Sequence, residues 1–343
     1  LKSEDFWLNA WYQGRWWLWL LWPLSLLFRA LAGWRRQRQQ ALAKPFSAPV
    51  IVVGNITLGG TGKTPVIIAL CQYLRDKGLN PGIVSRGYGG SASEYPWLVT
   101  AETPPGVSGD EPLLIARETG CPVMVGPDRV GSVEKLITEH GCNVLLSDDG
   151  LQHYRLSRQW EICVLDAARG LGNGKCLPAG PLRETPSRLQ QVDCVLINGA
   201  SVELGADAQI QEVDAHAMQL QPRYWRRVVD GESRSLHPQP WGSVDTVDAV
   251  TGIGNPERFF QTLTGMGVKV RGMAFPDHHP FVSQDLAFAL NKPLLMTAKD
   301  AVKCQPFAAQ DWWYLVVSAE LPKAFYQRLD QLLQRHGLLR SSS

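Results

Sequence analysis

The residues with the clearest capacity for chemistry are Lys63 and Thr64, which close the segment Thr57-Leu-Gly-Gly-Thr-Gly-Lys-Thr64. Glycines let a backbone wrap an anion without Cβ clashes, so successive N–H groups can cradle phosphate oxygens at a helix N-terminus. A lysine there reaches β- and γ-phosphates, and a following threonine hydroxyl suits Mg²⁺. The usual spacing wants glycine where Thr57 stands, which makes the loop irregular. Acids are the second requirement. Asp148 and Asp149 follow the apolar run Cys142–Ser147, where phosphate-binding-loop enzymes place the carboxylate that holds the metal, although Asp-Asp-Gly is also a good turn. Asp110, in Gly109-Asp-Glu-Pro112, reads equally as a helix cap or a general base. Asp277, His278 and His279 share a tight polar loop, and adjacent histidines are poor joint metal ligands because their side chains diverge. Arg183 and Glu184, after a Gly-Pro turn, suit a phosphate clamp and a further acid, or a surface turn.

These residues need a scaffold that presents strand ends to one cleft. Pro49-Val-Ile-Val-Val-Gly54 is short, apolar and β-branched, which predicts a buried parallel strand, and helical spacing begins at Pro65. Beyond it a short strand opening into glycines is expected within 80–90, and further strands at 123–126, 142–147, 160–165 and 192–198, with helices at 110–119 and 128–139. The rhythm lapses over 201–245. It resumes with strands at 248–252, 268–272, 293–297 and 312–317 and helices at 256–266 and 323–336. The expected organisation is therefore an N-terminal segment (1–44), a nucleotide domain (45–200), a β-rich linker (201–245) and a smaller α/β domain (246–343). The fold class is α/β, a doubly wound P-loop NTPase-like sheet with a second, smaller α/β domain.

The chain has 343 residues and a formal net charge of only +2, so it is no general polyanion binder, and no nucleic-acid partner is expected. Its positive charge is concentrated before residue 45, in Lys2, Arg15, Arg29, Arg35, Arg36, Arg38 and Lys44 against Glu4 and Asp5. Tryptophans 7, 11, 16, 17, 19, 22 and 34 share that segment. From Pro23 a helix is expected with Leu24, Leu27, Phe28 and Leu31 on one face and Ser25, Arg29, Gly33 and Arg36 opposite. Interfacial tryptophan and nearby arginines favour a monotopic anchor on a cytoplasmic leaflet. A helix packed on the protein's own core and a single spanning helix are the alternatives. The seven cysteines have no paired spacing, which argues against a zinc site or a disulfide framework.

Taken together the motifs resemble the tetraacyldisaccharide 4′-kinase family of lipid A (lipopolysaccharide) biosynthesis. The resemblance runs from about residue 5 to 335 and rests on the order of 53–65, Val84-Ser-Arg-Gly-Tyr-Gly-Gly90, 109–112, Asp148-Asp-Gly-Leu-Gln-His-Tyr-Arg-Leu156, Leu177-Pro-Ala-Gly-Pro-Leu-Arg-Glu184, 275–278 and Met296-Thr-Ala-Lys-Asp-Ala-Val-Lys303. The Thr57 irregularity belongs to that family's loop. The resemblance implies ATP on Thr57, Leu58, Gly59, Gly60, Thr61, Gly62, Lys63 and Thr64, and Mg²⁺ on Thr64, Asp148, Asp149 and Glu184. It implies a catalytic set of Lys63, Asp110 and His278, with Asp110 paired to His278 as the base. Tyr88, His153 and Arg183 match positions near the ligands. The implied acceptor is the 4′-hydroxyl of a membrane-borne acylated glucosamine disaccharide 1-phosphate, met at the cytoplasmic face of the bacterial inner membrane. No obligate protein partner is implied.

Overall fold

The structure, a computed structural model, describes residues 3–199 and 213–340. Leu1, Lys2 and residues 201–212 of the expected linker lie outside the described residues. Among the described residues thirteen strands form one continuous mixed sheet. Its first half is built from β1 (Val50–Gly54), β2 (Pro81–Ser85), β3 (Trp97–Val99), β4 (Val123–Val125), β5 (Val144–Asp148), β6 (Trp160–Asp166) and β7 (Cys194–Asn198), in the order β3-β4-β2-β5-β1-β6-β7. All neighbours there are parallel except β3, a three-residue edge strand that periodicity does not reveal. Helices α3 (Lys63–Asp76), α4 (Pro105–Ser108), α5 (Asp110–Thr119) and α6 (Arg129–His140) connect them.

Burial on both faces explains why these strands are uniformly apolar. Along β1, Ile51 and Val53 enter one core cluster with α3 and α5, while Val50 and Val52 enter a second on the other face with Val133 and Leu136 of α6. Alternate side chains point to opposite faces, so a strand covered twice has no polar side.

The second half comprises β8 (Ala215–Arg227), the short β9 (Ser233–Arg234), β10 (Val247–Thr251), β11 (Val270–Ala274), β12 (Leu294–Thr297) and β13 (Trp312–Glu320), with α7 (Pro256–Gly265), α8 (Ala298–Cys304) and α9 (Lys323–Arg335). Strand β11 begins two residues later than the spacing predicts. Gly267 (φ 78°) reverses the chain and the Val268 N–H bonds back to the Leu263 carbonyl, so Val268 ends the helix instead of starting the strand.

Strand β8 organises the whole molecule. Its first residues pair parallel with β7, ending at Asn198 against Met218, and its remainder pairs antiparallel with β13, whose Glu320 lies against Gln219. The strands of the second half therefore run opposite to those of the first, and the carboxyl ends of both sets converge beside residues 218–220 of β8. Open α/β sheets bind ligands beyond their carboxyl ends. Here two such ends face each other.

The N-terminal helices α1 (Ser3–Tyr12) and α2 (Trp22–Ala41) sit on this body by a narrow inner face. Ser25 is buried: its hydroxyl donates to the Cys176 carbonyl (2.8 Å) and accepts from the Ala179 N–H (3.0 Å). Arg36 reaches Gln191 Oε1 at 2.7 Å. Ser25 and Arg36 thus face the body while Leu24, Leu27 and Leu31 stay exposed; of the expected apolar face, Phe28 packs on the core. The polar residues have partners on the body, and the leucines have none. The apolar stretch Trp16–Ala41 is long enough to cross a membrane by length and composition, and only 11% of its most apolar 18 residues are buried.

Candidate active site

The loop between β1 and α3 has the form its residue types require. Gly59 (φ 98°) and Gly62 (φ 96°) occupy left-handed backbone, and a Cβ on Gly59 would stand 2.7 Å from an Arg169 nitrogen, one on Gly62 2.5 Å from the Asn198 amide nitrogen. Asn198 also donates to the Thr61 carbonyl at 3.0 Å, and Asn55 to the Gly59 carbonyl at 3.3 Å. Thr57 is buried and bridges to Leu182, and the Leu58 N–H bonds to the Pro181 carbonyl. Leu58 also packs against the cluster of Ala10, Trp11 and Leu18, so the phosphate-type loop touches the N-terminal helices directly. Lys63 and Thr64 then open α3, whose first turn has no acid.

Asp148 ends β5, immediately beside β1, which puts the acid pair against this loop. The Lys63 ammonium lies 3.5 Å from Asp149, and Arg183 reaches the other Asp149 oxygen at 2.9 Å. Asp149 takes a left-handed φ of 46°, uncommon for a residue with a Cβ and found where surrounding contacts enforce it. The two carboxyls diverge in charge. Burial pushes Asp148 up to about 7, with Glu111 and Asp149 adding to it against Lys63 and Arg129. Asp149 is half-buried, and Lys63 and Arg183 outweigh its desolvation and hold it well below the ordinary carboxylate range. Asp148 Oδ2 accepts from the Ser85 hydroxyl at 3.1 Å, while Oδ1 is buried with no hydrogen-bond donor.

Asp110 begins α5 and is 5% exposed. The preceding Gly109 (φ 85°) lies so close to the Tyr88 carbonyl that a Cβ would fall 2.4 Å from it, so only glycine lets this helix start here. Across the cleft, in the loop after β11, His278 places Nδ1 at 3.1 and 3.2 Å from the two Asp110 oxygens. His278 likewise holds a left-handed φ, 56°, fixed by its N–H bond to the Gly252 carbonyl. Burial raises the Asp110 pKa, but His278, Lys299 and Lys303 outweigh it and leave it lowered. Burial lowers the His278 pKa and Lys299 opposes protonation, yet the hydrogen bond and charge of Asp110 leave it raised.

Other expected positions join the same cavity in different ways. Tyr88 is exposed, its ring 5.0 Å from that of His278. His153 has a buried Nε2 without a partner, and burial together with Arg129 and Arg158 pushes its imidazole down to about 4, so it is neutral. The Glu184 oxygens are engaged by Gln152 (2.7 Å), the Tyr154 hydroxyl and Arg188 (3.4 Å). The Leu177–Glu184 motif does more than position two charges. Its Pro178 carbonyl accepts from the Trp11 indole at 3.0 Å, and Ala179 binds Ser25, so this turn seats the N-terminal helices.

Several contributors were not singled out from the sequence. Ser85, Glu111, Arg129 and Asn198 reach the site only because strand order brings their elements together. Arg258 of α7 clasps the two halves, contacting Asp166 at 3.0 Å and the Asn198 carbonyl at 3.0 Å. A continuous cavity of about 2640 Å³ runs from Trp7, Trp11 and Phe28 past Lys63 and Asp149 to His278. That exceeds the roughly 300–1,000 Å³ of common small-molecule pockets.

A family model described as LpxK, tetraacyldisaccharide-1-P 4′-kinase, matches residues 17–334. The chain belongs to the tetraacyldisaccharide 4′-kinase family. Among its relatives, the tetraacyldisaccharide 4′-kinase of Pseudomonas aeruginosa (strain LESB58) is 48% identical over 337 residues, covering 96% of this chain and 98% of the relative. That of Hahella chejuensis is 46% identical over 333 residues, covering 95% of each. The crystal structure of LpxK from Aquifex aeolicus in complex with ATP superposes with a TM-score of 0.75 at 24% identity, covering 93% of this chain and 99% of that one, which establishes the shared fold. Thr57, which stands where the usual pattern has glycine, pairs with Leu182 of the Leu177–Glu184 turn.

Proposed function

We propose that this chain transfers the γ-phosphate of ATP to the 4′-hydroxyl of a tetraacylated glucosamine disaccharide 1-phosphate, working at the cytoplasmic surface of the inner membrane. The observation that carries this reading is one continuous cavity with apolar tryptophan and phenylalanine walls at one end and Lys63, Asp149 and His278 at the other, His278 being the residue that contacts the buried Asp110. An acceptor with acyl chains and a sugar needs both.

Phosphoryl transfer is catalysed chiefly by positioning and charge neutralisation. In this scheme backbone N–H groups of 57–64 hold the phosphates and Lys63 compensates charge on the transferring group. Asp110 takes the proton of the 4′-hydroxyl as the new O–P bond forms, while the bond from γ-phosphorus to the β,γ-bridging oxygen breaks and ADP leaves. His278 orients the Asp110 carboxylate and polarises it. Arg183 and a neutral His153 stand as further ligand contacts, and Tyr88 packs beside the dyad. Mg²⁺ fits the donor set: a buried, donorless Asp148 Oδ1, the Asp149 carboxylate and the Thr64 hydroxyl are hard oxygen ligands of the kind it takes. When bound, it supplies charge neutralisation on the phosphates. Glu184 contributes by fixing Gln152, Tyr154 and Arg188 around these groups, and it would join the ion only by giving up one of those partners.

The direct test offers labelled ATP and the lipid disaccharide in mixed micelles. Label in the lipid product supports the reading; ATP hydrolysis with no lipid labelling would overturn it.

The exposed leucines of α2 make a separate prediction. Burial of a leucine side chain is worth roughly 1.5–3 kcal/mol, so changing Leu24, Leu27 and Leu31 together to glutamate is expected to weaken vesicle binding more than ~100-fold. Vesicle sedimentation checks it. Undiminished sedimentation would remove this face as the anchor.

A further inference from the structure

The seven cysteines have no paired spacing, but the fold gives one of them partners from a neighbouring strand. Cys194 opens β7 and is fully buried, and the parallel pairing of β7 with β8 sets Val195 beside Ala215 and Leu196 beside His216. The Val195 N–H donates to the Asp214 carbonyl at 2.9 Å, which carries the register one residue ahead of β8. Alternate residues of a strand share a face, so Cys194, Asp214 and His216 project to one side of the sheet. Cys194 there joins the core cluster that holds α3 and α9, while Val195, Ile197 and Ala215 go to the other side.

The Cys194 sulfur, an Asp214 carboxylate oxygen and a His216 ring nitrogen lie within 4.8 Å of one another, and His216 Nε2 is 3.1 Å from Asp214 Oδ2. In a tetrahedral zinc site, with Zn–S about 2.3 Å and Zn–N and Zn–O about 2.0–2.2 Å, the ligand atoms stand roughly 3.2–3.7 Å apart, so these side chains need to close by little more than about 1 Å. Burial grades toward an entrance: Cys194 is inaccessible, the His216 side chain is 15% exposed and that of Asp214 33%. The Phe325 ring stands edge-on to the imidazole, 6.4 Å between centroids. Asp193, next in the chain, is engaged elsewhere, accepting from the Glu161 N–H at 2.8 Å. Thiolate, imidazole and one carboxylate suit Zn²⁺, whereas Mg²⁺ prefers an octahedron of oxygens.

We propose that Cys194, Asp214 and His216 form a zinc-type metal site that fastens the start of β8 to β7, with the fourth position left to solvent. On binding, the Cys194 S–H gives its proton to solvent, and the sulfur, His216 Nε2 and an Asp214 oxygen each donate a lone pair to the cation. Burial raises the pKa of this thiol, so it stays protonated until a metal enters. Arg328 of α9, nearly half exposed, also meets Asp214 Oδ2, and an entering cation displaces it to water. The site lies at the opposite end of β7 from Asn198, which holds the Thr61 carbonyl, so it is separate from the nucleotide loop and its Mg²⁺ donors. Strand β8 joins both halves of the sheet, and this metal ties down its parallel end.

Co²⁺ is the probe, added to the full-length chain without nucleotide. One equivalent is expected to give a sulfur-to-cobalt charge-transfer band in the near ultraviolet and the intense visible bands of tetrahedral cobalt. Zn²⁺ should abolish both, and a large excess of Mg²⁺ should not. Cys194→Ser should remove the charge-transfer band. His216→Asn should weaken Co²⁺ binding by more than about 100-fold, beyond the roughly 10–100-fold cost of losing a group that only supports a ligand. Arg328→Met, which removes the competing cation, should tighten it. Zn²⁺ should raise the Tm of the wild type by a few degrees and leave that of His216→Asn unmoved, because a ligand stabilises only a fold that binds it. Absence of the charge-transfer band at one equivalent, or a band that survives Cys194→Ser, would overturn the proposal. Should the serine variant fail to fold, the partly exposed His216 still decides: unchanged Co²⁺ affinity in a folded His216→Asn protein overturns it too. Lipid phosphorylation does not enter these measurements, so they stand or fall apart from the kinase reading.

Discussion

Replacing Asp110 by asparagine is expected to lower kcat for lipid phosphorylation by roughly 10²–10⁴-fold, the range supplied by general acid–base catalysis. Asparagine keeps the size and one oxygen acceptor, so the Glu111 N–H that donates to Asp110 at 2.9 Å retains its partner and α5 can still start. What disappears is a carboxylate able to take the 4′-hydroxyl proton. Because Asp110 has a lowered pKa in the folded protein, it is ionised throughout the neutral range and does not itself produce an acid limb there. That limb belongs to His278, whose pKa Asp110 raises. Residual activity of Asp110→Asn should consequently show an acid limb at lower pH than the wild type, measured at saturating Mg²⁺ so that Asp148 stays ionised. ATP affinity should change little, since Asp110 lies outside the loop. Wild-type turnover in a folded Asp110→Asn protein would eliminate the base assignment.

Lys63→Ala should be the second severe loss, roughly 10²–10³-fold in kcat by analogy with removal of one preorganised electrostatic contact to a transition state. The effect has two sources in this site. The ammonium that would neutralise the transferring phosphate is gone, and Asp149 is left with Arg183 alone. Lys63 also restrains the pKa of Asp148, so its removal drives that buried carboxyl further up and leaves more of it protonated at neutral pH. Apparent Mg²⁺ affinity should therefore fall at neutral pH in this variant, and raising the pH should recover part of it. Steady-state kinetics with varied ATP and Mg²⁺ would check both. An alanine variant that retained wild-type kcat would show that the loop binds nucleotide without assisting transfer.

The site was legible in unequal measure, and the reason is range. The phosphate-type loop, its strand and its helix are local: glycines that must take φ near +97°, an apolar run covered on both faces, and Lys-Thr at the helix start all announce themselves within fifteen residues. Asp148-Asp149 was visible because it ends an apolar strand. Asp110 read as a cap or a base with equal ease, since both uses want a carboxylate at a helix start, and the His278 contact is what supports the proposed base. Glu184, expected with the metal set, is engaged instead by Tyr154, Gln152 and Arg188, and nothing in a Gly-Pro-Leu-Arg-Glu turn foretells those partners. The two faces of α2 were legible, but not what each would meet. Amphipathic spacing identifies two faces but not which one meets the body, and here Ser25 found backbone partners at Cys176 and Ala179 while the leucines faced outward.

From the chain alone came the α/β alternation, the nucleotide-type loop, the acidic strand end and a tryptophan-rich, basic N-terminal segment, because each depends on residues close in sequence. The tertiary structure decided the rest. Strand β8 pairs parallel with one half of the sheet and antiparallel with the other, which turns both sets of carboxyl ends toward each other. That reversal brings His278 and Lys299 to Asp110 across 168 and 189 positions of chain. Pairings of that separation are set by strand order and burial, which no local periodicity encodes.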